Sequence, residues 1–176
     1  MKAFLIVIDG PMGAGKTTVA EALHKKLHKI GRLNALISLD RLKRIVSGYK
    51  MDSKIHLNLS SDIGIAMTKE YLKKNIDVIV EKAFTKGEYL ESFIKTLNGR
   101  AKILVYQLEA PLDLRARRIS KRKLHPEVKK RPPLSKIKRN TKHYNESKYE
   151  KAIIFDTSKL TPNTIVNKII KDAGLK

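Results

Sequence analysis

The segment Phe4-Leu5-Ile6-Val7-Ile8-Asp9-Gly10-Pro11-Met12-Gly13-Ala14-Gly15-Lys16-Thr17-Thr18-Val19 changes physical character twice. Phe4 to Ile8 is continuously apolar, the pattern of a parallel strand covered on both faces. Val19, Leu23, Leu27 and Ile30 then recur at helical spacing until Gly31, a residue suited to a helix C-cap. Between strand and helix, Gly10 to Thr17 fits G-x-x-x-x-G-K-[ST] at every position. Glycines in such a turn let backbone N–H groups converge on phosphate oxygens, and the positive end of the helix dipole adds to that field. Lys16 is placed to reach β- and γ-phosphates, and the Thr17 hydroxyl to coordinate Mg²⁺. Gly10, Pro11, Met12, Gly13, Ala14, Gly15, Lys16, Thr17 and Thr18 therefore form the expected binding loop for ATP or GTP with magnesium.

The same alternation continues outward. Short β-branched runs stand at Ala35–Leu39, Val78–Val80, Ile103–Tyr106 and Ile153–Phe155. Between them, periodicity and capping residues predict helices from Arg41 to Ser47, from Ser61 or Asp62 to about Asn75, and from about Glu88 to Leu97. Further helices are predicted from Leu112 to about Arg122, near Asn140 to Tyr149, and after Thr161 with Pro162 in its first turn. Tyr49 to Leu59 has no clear period, and Pro126, Pro132 and Pro133 break the pattern before Asn140. Strands alternating with helices imply an α/β fold, a parallel sheet with helices on both faces. Ligands bind such sheets beyond the strands' carboxyl ends, where Asp9, Asp40, Glu81 and Asp156 stand.

A chain of 176 residues is expected to form one domain, residues 1–176. No apolar run reaches the ~20 residues of a membrane span, and Ala3–Ile8 is too short for a signal peptide. There is no cysteine, hence no disulfide, thiolate metal site or cysteine nucleophile, and the expected setting is cytoplasmic. The net charge is +21, and the segment Arg115–Lys142 holds thirteen basic residues against the single acid Glu127. Such a cluster attracts polyanions, so nucleotides, nucleic acids or phosphorylated metabolites are natural partners. A lysine-rich thermophile-type surface is the alternative for the more diffuse charge elsewhere.

Five stretches in register carry a family resemblance: Asp9–Thr18, Ser38–Arg44 (S-L-D-R-L-K-R), Val78–Phe84 (V-I-V-E-K-A-F), Tyr106–Arg118 and Ile153–Ser158. Together they resemble the small P-loop kinases related to polynucleotide kinase, zeta-type toxins and chloramphenicol phosphotransferase, cousins of the nucleoside monophosphate kinases. The resemblance implies a three-layer P-loop NTPase sandwich with five parallel strands in the order 2-3-1-4-5 and a basic lid at about residues 115–142. It also implies ATP and Mg²⁺ as cofactors and transfer of the γ-phosphoryl group to an acceptor.

By this resemblance Asp40 is the candidate general base, accepting the acceptor's proton. Helix N-capping is its plainer alternative. Lys43 and Arg44, three and four positions on, are candidate acceptor-binding residues at a site where the family usually has arginine. Glu81 would hold the metal with Thr17, although the family more often has aspartate there. Asp9 is either a second carboxylate near the metal or a turn-former. Arg118 and Arg122 are the favoured lid arginines and, with Lys16 and Asp40, the candidate catalytic set; Arg115, Arg131 and Arg139 follow. Lys82 and Lys86 could touch an acceptor phosphate or be solvated lysines. Thr157, Ser158 and Lys159 resemble the loop flanking adenine. His24 and His28 have a metal-pair spacing but lack an accompanying glutamate and read as a solvated helix face, and His56, His125 and His143 show no partner pattern.

The leading expectation is an ATP-dependent kinase whose acceptor is a nucleic-acid 5′-hydroxyl, a nucleoside or a nucleotide, with a small alcohol still open. The lid's only aromatic residues, Tyr144 and Tyr149 near its end, temper the nucleic-acid version. The alternative class is a nucleotide-switched RNA- or ribosome-binding module. A third is an adaptor for acidic partners that uses ATP only for stability.

Overall fold

The computed structural model describes residues 2–48, 54–84, 87–123, 130–145 and 149–175. Lys86, His125 and Pro126, singled out above, lie outside the described residues. In chain order the elements are β1 (Phe4–Asp9), α1 (Lys16–Lys29), β2 (Asn34–Ser38), α2 (Leu39–Ile45), α3 (Lys54–Lys73) and β3 (Asp77–Glu81). There follow α4 (Gly87–Leu97), β4 (Lys102–Glu109), α5 (Leu112–Lys121), α6 (Leu134–Asn145), β5 (Ile153–Asp156) and α7 (Pro162–Ala173). The strands pair in parallel in the order β2-β3-β1-β4-β5, as the resemblance implied.

The period-two pleat divides β1 between two cores. Phe4, Ile6 and Ile8 pack with Val19, Leu23 and Leu27 of α1 and with Ile165, Val166 and Ile169 of α7. Leu5 and Val7 point the other way, into a core with Leu39, Leu72, Leu90, Phe93 and Leu97. Every residue of β1 and β3 is buried, which explains their uninterrupted apolar reading. At the amino end of the sheet, buried Asp77 accepts the Phe4 N–H at 2.9 Å and a two-pronged contact from Arg32 at 2.6 and 2.9 Å. This clamp satisfies the lone acid of β3's entry and leaves the opposite, carboxyl end of the sheet for ligands.

Three boundaries differ from the sequence reading. Helix α3 starts at Lys54, not near Ser61. Ser60 and Ser61 do not cap it; their hydroxyls donate back to the Leu57 carbonyl at 2.9 and 3.2 Å, as serine can inside a helix. Helix α6 starts at Leu134, directly after Pro132 and Pro133, and ends at Asn145. The prolines initiate that helix instead of extending the chain: the Pro133 carbonyl accepts from Lys136 and Ile137 N–H. Strand β2 ends at Ser38, the N-cap residue of α2, so Asp40 lies inside the first turn of α2 and does not cap it.

Candidate active site

Two glycines of the loop between β1 and α1 are required by close approach. At Gly10 (φ +148°) an added Cβ would strike the Leu108 carbonyl oxygen. At Gly13 (φ +83°) it would lie 2.8 Å from the Arg115 carbonyl oxygen. The turn is closed by Ala14 N–H donating to Pro11 O at 3.2 Å, and the Lys16 ammonium folds back onto the same carbonyl at 3.1 Å. Lys16, Thr17 and Thr18 form the first turn of α1, where N–H groups lack intrahelical partners and favour an anion.

Parallel register brings Ser38 of β2 opposite Glu81 of β3. The Ser38 hydroxyl donates to Glu81 Oε1 at 2.5 Å, and the Thr17 hydroxyl lies 3.4 Å from both carboxylate oxygens. Glu81 is 4% exposed, so its carboxylate is aimed along the loop and not into solvent. These hard-oxygen donors fit a magnesium ion, which characteristically takes one or two protein oxygens and fills its octahedron with water and phosphate. Among the described residues no cluster of three His, Cys, Asp or Glu could hold a metal unaided, and His24 is instead bonded through Nδ1 to Asn34 Oδ1 at 2.7 Å.

Asp9 is engaged by other partners. It is 1% exposed and accepts the Phe84 N–H and the Gln107 amide, each at 2.9 Å. Burial raises its pKa above the ordinary value, against those hydrogen bonds and the charge of Lys16. These contacts secure the chain after β3, a role that neither expectation for Asp9 named.

On the far side of the loop, Asp40 pairs with Lys43 at 2.5 Å, and both line one cleft with Lys16, Thr17 and Arg118. Burial opposes ionisation of Asp40, but Lys43, assisted by Lys16 and Lys82, outweighs it and holds the carboxyl below its usual range. Lys82 is not a solvated lysine. It is half-buried, donates to the Ser61 hydroxyl at 3.1 Å and lies 5.2 Å from the centre of the Phe84 ring. Burial, reinforced by repulsion from Lys43, pushes its pKa down to about 8.

The arginines divide by role. Arg115 is 1% exposed and donates to Ala110 O (2.9 Å), Met12 O (3.1 Å) and Thr141 Oγ1 (2.8 Å). It is therefore a strut between the phosphate loop, α5 and α6, not a free lid arginine. Arg118 grips Thr157 through its hydroxyl and carbonyl, both at 2.8 Å, and reaches Gly13 O at 3.5 Å. Arg122, just past α5, is exposed at the cleft, where Arg131 and Arg139 also stand. Thr157 itself donates to Ala14 O at 3.0 Å, while Ser158 is turned onto Asp156.

The cleft measures about 1880 Å³, more than the 300–1,000 Å³ typical of one small ligand, and so has room for donor and acceptor together. The sequence matches the AAA domain family over residues 5–147. The chain belongs to that family of P-loop kinases. A "probable adenylyl-sulfate kinase" of Pyrococcus abyssi is 30% identical over 118 residues, 67% of this chain and 66% of the relative. The chain thus matches just under two thirds of that relative's length. A putative kinase from Chloroflexus aurantiacus shares the fold with a TM-score of 0.74 at 19% identity, covering 97% of this chain and 98% of that one. A chain of the Pnkp1/Rnl/Hen1 RNA repair complex superposes with a TM-score of 0.72 at 18% identity, covering 85% of this chain and 47% of its own.

In this family member the segment expected to form a lid divides in two. Arg118, Arg122 and Arg131 border the cleft, whereas α6 is anchored to the phosphate loop. Asn140 Oδ1 accepts the Met12 N–H at 3.0 Å, Thr141 holds Arg115, and Ile137 and Tyr144 are buried. The Tyr144 hydroxyl lies toward Asp9 without completing a hydrogen bond; burial, then the charges of Asp9 and Glu109, push its pKa up. The sequence reading, which starts this helix near Asn140, reveals neither these α6 anchors nor the burial of Lys82. Among the described residues no helix is long and apolar enough to cross a membrane.

Proposed function

We propose that the chain is an ATP-dependent phosphotransferase that moves the γ-phosphoryl group of ATP to an acceptor hydroxyl or phosphate of a nucleic acid, nucleoside or nucleotide. The observation that carries this reading is Asp40: an ionised carboxylate, neutralised by Lys43, in the same cleft as Lys16 and the phosphate loop. For a hydroxyl acceptor, Asp40 takes the proton as the oxygen bonds to the γ-phosphorus and the bond to the β-phosphate oxygen breaks, leaving ADP. Lys16 and the first-turn N–H groups of α1 bind the transferring charge; Arg118 and Arg122 stabilise it from the α5 side. Thr17 and Glu81 would hold magnesium, which neutralises the phosphates when bound. The names of two proteins similar to this chain, adenylyl-sulfate kinase and a component of an RNA repair complex, support a nucleotide or polynucleotide acceptor.

The test is transfer of label from γ-labelled ATP into 5′-hydroxyl RNA and DNA oligonucleotides, nucleosides and nucleotides. Asp40→Asn is expected to lower transfer by about 10²–10⁴-fold while leaving ATP binding intact. Full transfer by Asp40→Asn refutes the base assignment. The exposed basic residues of α5 and α6 support a second reading, a nucleotide-switched RNA-binding module. RNA binding with no transfer by the unaltered protein would favour it.

A further inference from the structure

We infer that Asn140 is a positioning residue: from α6 it fixes the peptide unit that holds the Lys16 ammonium, and so sets how the phosphate loop meets ATP. The inference rests on the nucleotide-binding part of the proposed function and does not depend on the acceptor.

Pro11 and Met12 share one peptide unit, and no described peptide bond is cis. A trans unit points its N–H and its C=O to opposite sides. On one side, the Met12 N–H donates to Asn140 Oδ1 at 3.0 Å. On the other, the Pro11 carbonyl accepts from the Lys16 ammonium at 3.1 Å and from the Ala14 N–H at 3.2 Å. One rigid plane therefore connects α6 to the loop lysine. The Pro11 ring fixes φ but leaves ψ free, so the plane can turn once its hydrogen bonds are lost. A turned plane takes the acceptor away from Lys16. While that acceptor is in place, one of the ammonium's three N–H donors is spent on Pro11 and the others are left for phosphate oxygens.

The next peptide unit is held from the same helix. The Met12 carbonyl accepts from Arg115 at 3.1 Å, and Arg115 in turn donates to Thr141 Oγ1 at 2.8 Å. Thr141 is itself tied to the Ile137 carbonyl at 2.8 Å. Holding the Met12 carbonyl against Arg115 turns the Gly13 N–H to the opposite side. Consecutive residues of α6 thus control Met12 through its N–H and, by way of Arg115, its C=O. Buried Ile137 and Tyr144 seat the helix that supplies them. The remaining side-chain ties of the loop, Arg118 to Gly13 O and Thr157 to Ala14 O, act after Met12 and leave the Pro11–Met12 unit to Asn140. Donors fixed before an anion arrives lose less conformational freedom when it binds.

The experiment uses the full chain and three variants: Asn140→Leu and Asn140→Ala, which remove the acceptor, and Asn140→Asp, which keeps one. Circular dichroism verifies that each is folded, and Asn140→Ala carries the test if Asn140→Leu does not fold. Hydrogen exchange of the Met12 amide is read by nuclear magnetic resonance without nucleotide, and ATP affinity by calorimetry with magnesium, well below Tm. Met12 exchange is expected to quicken about tenfold or more in the Leu and Ala variants and to stay slow in Asn140→Asp, with β1 amides unchanged in all. The Kd for ATP is expected to rise about three- to tenfold in the Leu and Ala variants. A merely structural tie would lower Tm and leave the affinity of the folded protein unchanged. Free exchange of the Met12 amide in the wild type, fast exchange in Asn140→Asp, or a rise in Kd below about threefold in the folded Leu and Ala variants overturns the inference. Failure of the wild type to bind ATP overturns it together with the nucleotide reading. The expected exchange and affinity changes without label on any acceptor uphold it and refute the phosphotransferase reading alone.

Discussion

Arg115→Met separates a structural arginine from a catalytic one. The wild-type guanidinium is 1% exposed and donates three hydrogen bonds, to Ala110 O, Met12 O and Thr141 Oγ1. Methionine keeps most of the apolar stem but none of the donors. Hydrogen bonds from a charged group contribute about 1.5–3 kcal/mol each before desolvation is charged against them. Burial lowers the pKa of Arg115, so part of that gain is already consumed by holding the cation out of water. Two carbonyls also lose a partner beneath the phosphate loop. The net expectation is a loss of about 2–4 kcal/mol, which for a chain of this size lowers Tm by roughly 4–16 °C. Thermal and guanidinium unfolding followed by circular dichroism reads it directly. ATP affinity should fall as well, because Met12 loses its tie to α5. A Tm within 1 °C of wild type combined with a large loss of kcat would refute the strut and restore Arg115 as a lid arginine.

Arg122→Met is expected to give the opposite signature, unchanged Tm with reduced kcat, because Arg122 is exposed at the cleft; a Tm drop comparable to that of Arg115→Met would refute the division of roles. Gly13→Ala should raise the Kd for ATP more than tenfold, since its Cβ would stand 2.8 Å from the Arg115 carbonyl at φ +83°; wild-type affinity by calorimetry would show that the loop yields. Lys43 holds the Asp40 carboxyl below its usual range against the cost of burial, so kcat/KM should not fall between pH 7 and pH 5, and the stability it contributes is lost only as pH drops through its lowered folded value. An acidic limb near pH 6 that Asp40→Asn abolishes would contradict this. Lys82 titrates near 8 in place of 10.5, so the folded chain binds fewer protons than the unfolded chain between those values and its contribution to stability rises with pH there. Relieving that burial in Lys82→Met should add about 1–3 kcal/mol at pH 7, read as a higher Tm; a lower Tm would make Lys82 a structural tie between β3 and α3.

What local chemistry encodes was readable from the chain alone. An apolar run, a glycine-rich turn and a helical stripe are properties of neighbours in sequence, so β1, the phosphate loop and α1 could be placed from Phe4 to Ile30. The polar residues ending the strands, Asp9, Glu81 and Asp156, were legible for the same reason. Where side chains point was not. Asp9 and Glu81 each follow a buried strand, yet parallel register sets Glu81 beside Ser38 and the Thr17 hydroxyl while Asp9 meets Gln107 and the Phe84 N–H. Arg115, Arg118 and Arg122 are the same residue type within eight positions of one segment. Only the packing of α5 between the phosphate loop and α6 makes the first a buried strut, the second a grip on Thr157 and the third an exposed cation. Lys82 shows the same limit: the burial and nearby charges that set a lysine's protonation come from β3, α2 and α3 together, and no window of sequence contains all three.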